Sequence, residues 1–153
     1  MSRTFFFDTS ALIKLYHREA GTEQVEEIFK QTESSIVISE LAIVELCSML
    51  ARKVRTGEIT LQAQEEALRN FEDDCAHQLV VDPLSGSVIQ KAKELLQKHG
   101  NTKALRSLDS LQLGACLIAR IREELIFVCA DARLLEISKL EGLQVVNPES
   151  PPS

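Results

Sequence analysis

The chain has 153 residues, 44% hydrophobic and 26% charged, the make-up of one globular domain large enough to bury a core. No apolar run approaches the roughly 20 residues that span a bilayer, and no basic region with an apolar stretch and cleavage site opens the chain, so a membrane or secreted protein is not expected and a cytoplasmic one is. The net charge of −6 argues against a nucleic-acid partner unless acidic residues themselves hold metal ions.

In chain order, TFFF (Thr4 to Phe7) reads as a buried strand and Ser10 to His17 as a short helix. Thr22 to Lys30 follows as a helix with Val25, Ile28 and Phe29 on one side. SIVIS (Ser35 to Ser39) is the second strand, and Glu40 to Arg55 a strongly apolar helix. Thr60 to Cys75 carries Leu61, Ala67, Leu68 and Phe71 on a face, before a third strand over His77 to Val81. Ser85 to Lys98 and Ser107 to Arg120 are the next helices. A fourth strand over Glu124 to Ala130, a helix over Ala132 to Leu140 and a last strand over Leu143 to Val146 complete the set.

None of the strands alternates polar with apolar residues, so both faces of the sheet should be covered. Alternation of strand and helix then predicts an α/β fold, a three-layer α/β/α domain with a mostly parallel central sheet of about five strands. The domain is taken as residues 1–148, with the proline-rich remainder, 149–153, as a flexible tail. Cys47, Cys75, Cys116 and Cys129 are scattered, with no C-x-x-C pair, and read as reduced thiols. His17, His77 and His99 are too dispersed for a zinc cage and read as surface or capping residues. Arg52, Lys53 and Arg55 form one basic knot, and Lys91, Lys93, Lys98, Lys103 and Arg106 a looser one; either permits an RNA partner without requiring it.

Four carboxylates sit in unusual company. Asp8 ends the apolar run FFF, and Asp131 ends LIFVCA and starts the next helix. Glu45 is the one charge inside LAIVELCSML, and Asp109 the one charge inside SLDSLQLGACLIA. A buried carboxylate is normally paired, protonated or bound to metal. Each has an ordinary explanation of its own, helix capping for Asp8 and Asp131 and a distant Arg for Glu45 and Asp109. Four such positions with few basic partners in reach favour one shared cause, a metal site. Ligands of open parallel sheets collect beyond the carboxyl ends of the strands, where Asp8 and Asp131 would lie. An all-oxygen donor set suits Mg2+, with Mn2+ as the alternative, and such ions are the usual equipment of phosphoryl chemistry. Neither G-x-x-x-x-G-K-[ST] nor G-x-G-x-x-G is present.

FFFDTSALIKLY, VISELAIVEL, LRSLDSLQLGACLIA and FVCADARLL followed by GLQVVNP together resemble, in order and over nearly the whole chain, the PIN domain of VapC-type ribonuclease toxins. The resemblance implies that Asp8, Glu45, Asp109 and Asp131 form an acidic quartet at a magnesium site. Asp8 and Asp131 would touch the metal most directly, and Ser10 would be a supporting hydroxyl. Cys129 stands where relatives often have Thr or Ser, a departure that bears on a supporting hydrogen bond and not on the ligands. Glu40, on the same helix as Glu45, is read as a partner of that helix's N-terminal dipole. The resemblance further implies a homodimer and inhibition by a cognate VapB-like antitoxin lying in an apolar groove, for which Leu41 to Leu50 and Ala11 to Tyr16 are the candidate segments. The expected activity is Mg2+-dependent hydrolysis of RNA phosphodiester bonds by a metal-activated water. The alternatives are a catalytically silent PIN-fold module that binds RNA or protein, and a phosphatase with an aspartyl nucleophile. The latter calls for a second Asp two residues after Asp8, where Ser10 stands.

Overall fold

The structure is a computed structural model that describes residues 2–31 and 33–150. Strands β1 (Arg3–Phe7), β2 (Ser34–Ser39), β3 (Leu79–Asp82), β4 (Ile126–Val128) and β5 (Gln144–Val146) form one sheet in the order β3-β2-β1-β4-β5. All four pairings are parallel, so the sheet is wholly rather than mostly so. The helices are α1 (Thr9–Leu12) with a 3-10 turn over Ile13–Leu15, α2 (Thr22–Lys30), α3 (Leu41–Arg55), α4 (Leu61–His77), α5 (Gly86–His99), α6 (Ser107–Arg122) and α7 (Ala132–Leu140).

Register explains the three layers. One rung aligns Phe6 with Val37 and Phe127, and these point into a core built with Val88 and Leu95 of α5, Leu113 and Leu117 of α6 and Leu134 of α7. The rungs on either side, Phe5 with Ile36 and Phe7 with Val128, point to the opposite face. There they meet Leu12, Val25, Ile28, Leu46, Leu50 and Phe71 from α1 to α4. Alternate residues of each strand therefore serve opposite cores, and a continuous apolar run is the only pattern that satisfies both. Phe6, Phe7 and Phe127 are fully buried, and each contributes about 1.5–3 kcal/mol by transfer from water. The small residues of α6 have a use: a Cβ on Gly114 would lie 3.2 Å from the Val88 carbonyl oxygen and the Ala92 nitrogen, so α5 and α6 approach as closely as backbones allow.

Three expected strands are trimmed, the last by Leu143, which precedes β5. His77 belongs to α4, whose helical hydrogen bonding runs on to Gln78, whose N–H reaches the Asp74 carbonyl. Glu124, Leu125, Cys129 and Ala130 lie outside β4, whose paired residues are Ile126 to Val128. The candidate groove segments also divide. Ala11, Leu12 and Ile13 are inside the core, and Tyr16 donates to Asp74 Oδ2 at 2.7 Å, whereas Ile43, Val44 and Cys47 of α3 remain at the surface. Of the residues expected to form the tail, 151–153 lie outside the described residues; Glu149 reaches back to the buried Lys14.

Candidate active site

The strand order reverses direction at β1: the chain builds β2 and β3 on one side, then places β4 and β5 on the other. Ligand crevices in open parallel sheets form at such a switch, beyond the carboxyl ends of the strands. Asp8 leaves β1 there, its N–H bonded to the Val128 carbonyl at 3.1 Å, and is only 6% exposed. It also caps α1, with extended backbone and Oδ1 accepting from Ala11 N at 3.1 Å and from Ser10 Oγ at 2.6 Å. Capping and site placement are thus one conformation. Ser10 Oγ in turn accepts from Ala130 N at 3.0 Å, which ties the end of β1 to the turn after β4.

Asp131 follows that turn and caps α7, its Oδ1 accepting from Arg133 N at 2.9 Å and Leu134 N at 3.4 Å. Cys129 does not leave the support unmade: its sulfur accepts from Asp131 N at 3.3 Å and lies 3.9 Å from Ser10 Oγ. Burial pushes the Cys129 thiol far above its ordinary range, with the Asp8 charge adding, so the group is a neutral prop and not a nucleophile.

Glu45 comes from α3. Its Oε1 accepts from Thr9 Oγ1 at 2.9 Å and from Gln112 Nε2 at 2.7 Å, and Gln112 Nε2 also donates to Thr9 Oγ1 at 3.0 Å. Asp109 opens α6 one turn before Gln112, and its Oδ2 accepts from Arg106 Nε at 3.0 Å. The other end of the Arg106 guanidinium lies 3.8 Å from Asp131 Oδ2. Glu45 is therefore bonded to Thr9, the residue after Asp8; Ser10 joins Asp8 to the turn that carries Cys129 and Asp131; and Arg106 bridges Asp109 and Asp131.

Three participants escape a reading that follows carboxylates alone. Arg106, one member of the loose basic patch, is the counter-ion of Asp109 and Asp131, three residues ahead of Asp109 at helical pairing distance. Its guanidinium pKa is raised by the Asp109 hydrogen bond and charge, then by the charges of Asp131 and Glu45. Gln112 is a polar residue in an apolar helix face, the same signal that marked Asp109, carried by a neutral side chain. Thr9 is visible in sequence only as capping chemistry. Glu40 does not bond its own helix: its Oε1 accepts from Leu84 N at 2.5 Å and ties α3 to the loop after β3. His99 is buried against Glu141 at 2.8 Å and not at the surface. Lys53, Lys91 and Lys98 pair with Glu58, Glu94 and Glu141.

Burial pushes the Asp8 carboxyl up to about 6, opposed by hydrogen bonds from Ser10, Cys129 and Ala11 and reinforced by the Glu45 charge. An ionised carboxylate in that position wants a cation. Asp8, Glu45 and Asp131 are held through one oxygen each by protein donors, the outer-shell arrangement that aims metal ligands. Gln112, 3% exposed, leaves its carbonyl Oε1 without a hydrogen bond from any described residue, a spare hard acceptor beside Glu45. This donor chemistry fits a hard divalent ion. Among the described residues no three His, Cys, Asp or Glu side chains lie close enough together to hold a metal ion between them. Magnesium sites commonly use one or two carboxylates and keep several waters.

No curated protein matches the sequence. Solved structures match it throughout. A toxin–antitoxin complex from Klebsiella pneumoniae is 16% identical with a TM-score of 0.64, covering 94% of this chain and 97% of that one. VapC20 of Mycobacterium tuberculosis, a sarcin–ricin loop cleaving toxin, is 15% identical with a TM-score of 0.67, covering 97% and 99%. DNA-bound VapBC from Salmonella typhimurium is 19% identical with a TM-score of 0.62, covering 97% and 99%. At these identities the likeness is one of fold. The sequence model of the PIN domain matches residues 5–140, and on that match, with the parallel α/β/α sheet, the chain belongs to the PIN domain family.

Proposed function

We propose that the protein is a VapC-type endoribonuclease that hydrolyses RNA phosphodiester bonds with Mg2+ or Mn2+, held inactive by a VapB-like antitoxin. Asp8 carries the reading: a buried carboxylate at the sheet's switch point, its charged form disfavoured by burial, with Glu45 hydrogen-bonded to its neighbour Thr9. Asp8, Glu45, Asp109 and Asp131 would hold the ion, which when bound supplies an acidified water and a counter-charge for the phosphate. The chain's own part is orientation. Ser10 and the Ala11 N–H fix Asp8, Thr9 and Gln112 fix Glu45, and the α7 backbone fixes Asp131. The solved relatives that are toxin–antitoxin complexes support an antitoxin partner for this chain.

The test is cleavage of a sarcin–ricin loop RNA and of total RNA by the purified protein. Cleavage with Mg2+ or Mn2+ that stops on chelation is expected. If no RNA is cut with Mn2+ supplied and antitoxin absent, the chain is a silent PIN-fold binding module instead.

Gln112→Leu probes the orientation of Glu45. Leucine fills the same space and removes the amide with the orphaned carbonyl, so the fold should hold its stability. Glu45 keeps Thr9 but loses its shorter hydrogen bond, at 2.7 Å. Cleavage should drop about 10–100-fold, the usual effect of removing an outer-shell partner. Unchanged turnover would show that Thr9 alone suffices.

A further inference from the structure

The side chain of Arg106 is 72% exposed, so its pairing with Asp109 and Asp131 is a surface contact of small energetic weight. It is nevertheless placed with care. Arg106 stands at the N-cap position of α6 with extended backbone and makes no side-chain cap bond; its chain folds over the first turn of the helix to reach Asp109 at 3.0 Å and the Asp131 carboxylate at 3.8 Å. It therefore bridges the starts of α6 and α7 through Asp109 Oδ2 and Asp131 Oδ2, on two of the carboxylates proposed above to hold a divalent ion. A cation that binds there competes with the guanidinium for Asp109 and Asp131. When displaced, the guanidinium keeps its five donors in a planar fork, exposed to solvent and free to meet a phosphodiester. That fork matches two phosphate oxygens at once.

We infer that Arg106 exchanges partners. It neutralises Asp109 and Asp131 in the metal-free protein, and on metal binding is released to clamp a phosphate of the RNA strand. The inference rests on the nuclease reading above, and adds to it a substrate-touching residue and a built-in competitor for the metal. Two effects of opposite sign follow from one side chain, which a purely structural role would not produce.

The experiment compares the wild type with Arg106→Gln and Arg106→Lys. Mn2+ alone is titrated by calorimetry, and a short fluorescent RNA of mixed sequence is titrated by anisotropy in Ca2+ over a range of salt. Arg106→Gln should bind Mn2+ about fivefold more tightly, the weight of one exposed ion pair. It should bind the RNA about tenfold more weakly, with the slope of log K against log salt reduced by about 0.7 for one lost phosphate contact on a single strand. Arg106→Lys keeps the charge, so the salt slope stays near that of the wild type while the loss of the fork still weakens RNA binding. If Arg106→Gln leaves either the Mn2+ affinity or the RNA affinity unchanged while the wild type binds both, this inference alone is overturned. A wild type that takes up no Mn2+ and cuts no RNA overturns the nuclease reading with it.

Discussion

Asp8→Asn is expected to abolish cleavage and to make the metal-free protein more stable. Loss of one carboxylate that positions a cation at the reacting phosphate should cost about a thousandfold in turnover. The stability gain follows from the direction of the pKa shift. The folded protein keeps the Asp8 proton up to about pH 6, while the unfolded chain releases it near 3.8. Between those values the native state binds more protons than the unfolded one, so stability falls as pH rises through the window and stays lower above it. A rise from 3.8 to about 6 corresponds to about 3 kcal/mol at neutral pH. Asparagine has no charge to desolvate and none to oppose Glu45, and its carbonyl can still accept from Ser10 and Ala11. Denaturant unfolding in EDTA should therefore show the variant ahead by up to about 3 kcal/mol at neutral pH, with the gap closing toward pH 4. Added Mg2+ should stabilise the wild type and leave the variant unmoved. A variant no more stable than the wild type in EDTA would mean that Asp8 is not the strained group burial makes it.

A stabilising substitution at a residue that disables the protein is the mark of a group placed for function and not for folding. The opposite holds at Ser10 and Cys129, whose bonds tie the end of β1 to the turn after β4 and secure that turn, and at Thr9, which joins α1 to Glu45 of α3. The sequence makes this division partly visible. FFF before Asp8 is legible because residues of a doubly covered strand must all be apolar, so the first polar one announces the strand's end; before Asp131 the same rule overshoots, since β4 stops at Val128 and Cys129 and Ala130 belong to the turn. The neighbourhood of those two ends is not legible in the same way. It depends on β4 lying next to β1 across more than a hundred residues, which strand length and composition leave open.

Arg106 and Gln112 were hidden for different reasons. Arg106 reads as one more solvated charge because a basic residue three before an acid is common on helix surfaces. Gln112 is neutral, and a search that follows net charge passes over the residue that holds Glu45 in place. Helix ends suffer from a local limit. His77 and Glu124 border apolar runs, and whether a flanking residue joins the ladder is decided by the partner strand, which is absent from its own sequence window. The apolar stretch Ala11 to Ile13 is open in the same manner, with the interior the commoner place for any one of its residues. It could face a groove or the interior, and the packing of α1 against α3 puts it in the interior.

The second large effect is expected at Lys14. This lysine is 1% exposed and lies in the turn that continues α1, where its ammonium meets Glu19 Oε2 at 2.8 Å and Glu149 Oε2 at 3.1 Å. The chain beyond β5 reaches this position by passing over Gly21, where φ is +89° and a Cβ would come within 2.9 Å of the Pro148 carbonyl oxygen. The pair is asymmetric, since the carboxylates are 31% and 42% exposed and the ammonium is not. Removing both acids, as Glu19→Gln with Glu149→Gln, strands a charge that water cannot reach and should cost about 3–5 kcal/mol. Removing the lysine, as Lys14→Met, keeps the buried volume and returns both carboxylates to water, so the change should stay within about 1 kcal/mol. Urea unfolding of the two variants, with metal chelated, measures both. Equal losses in the two would mean that the contacts of the lysine stem, and not its charge, secure this end of the chain.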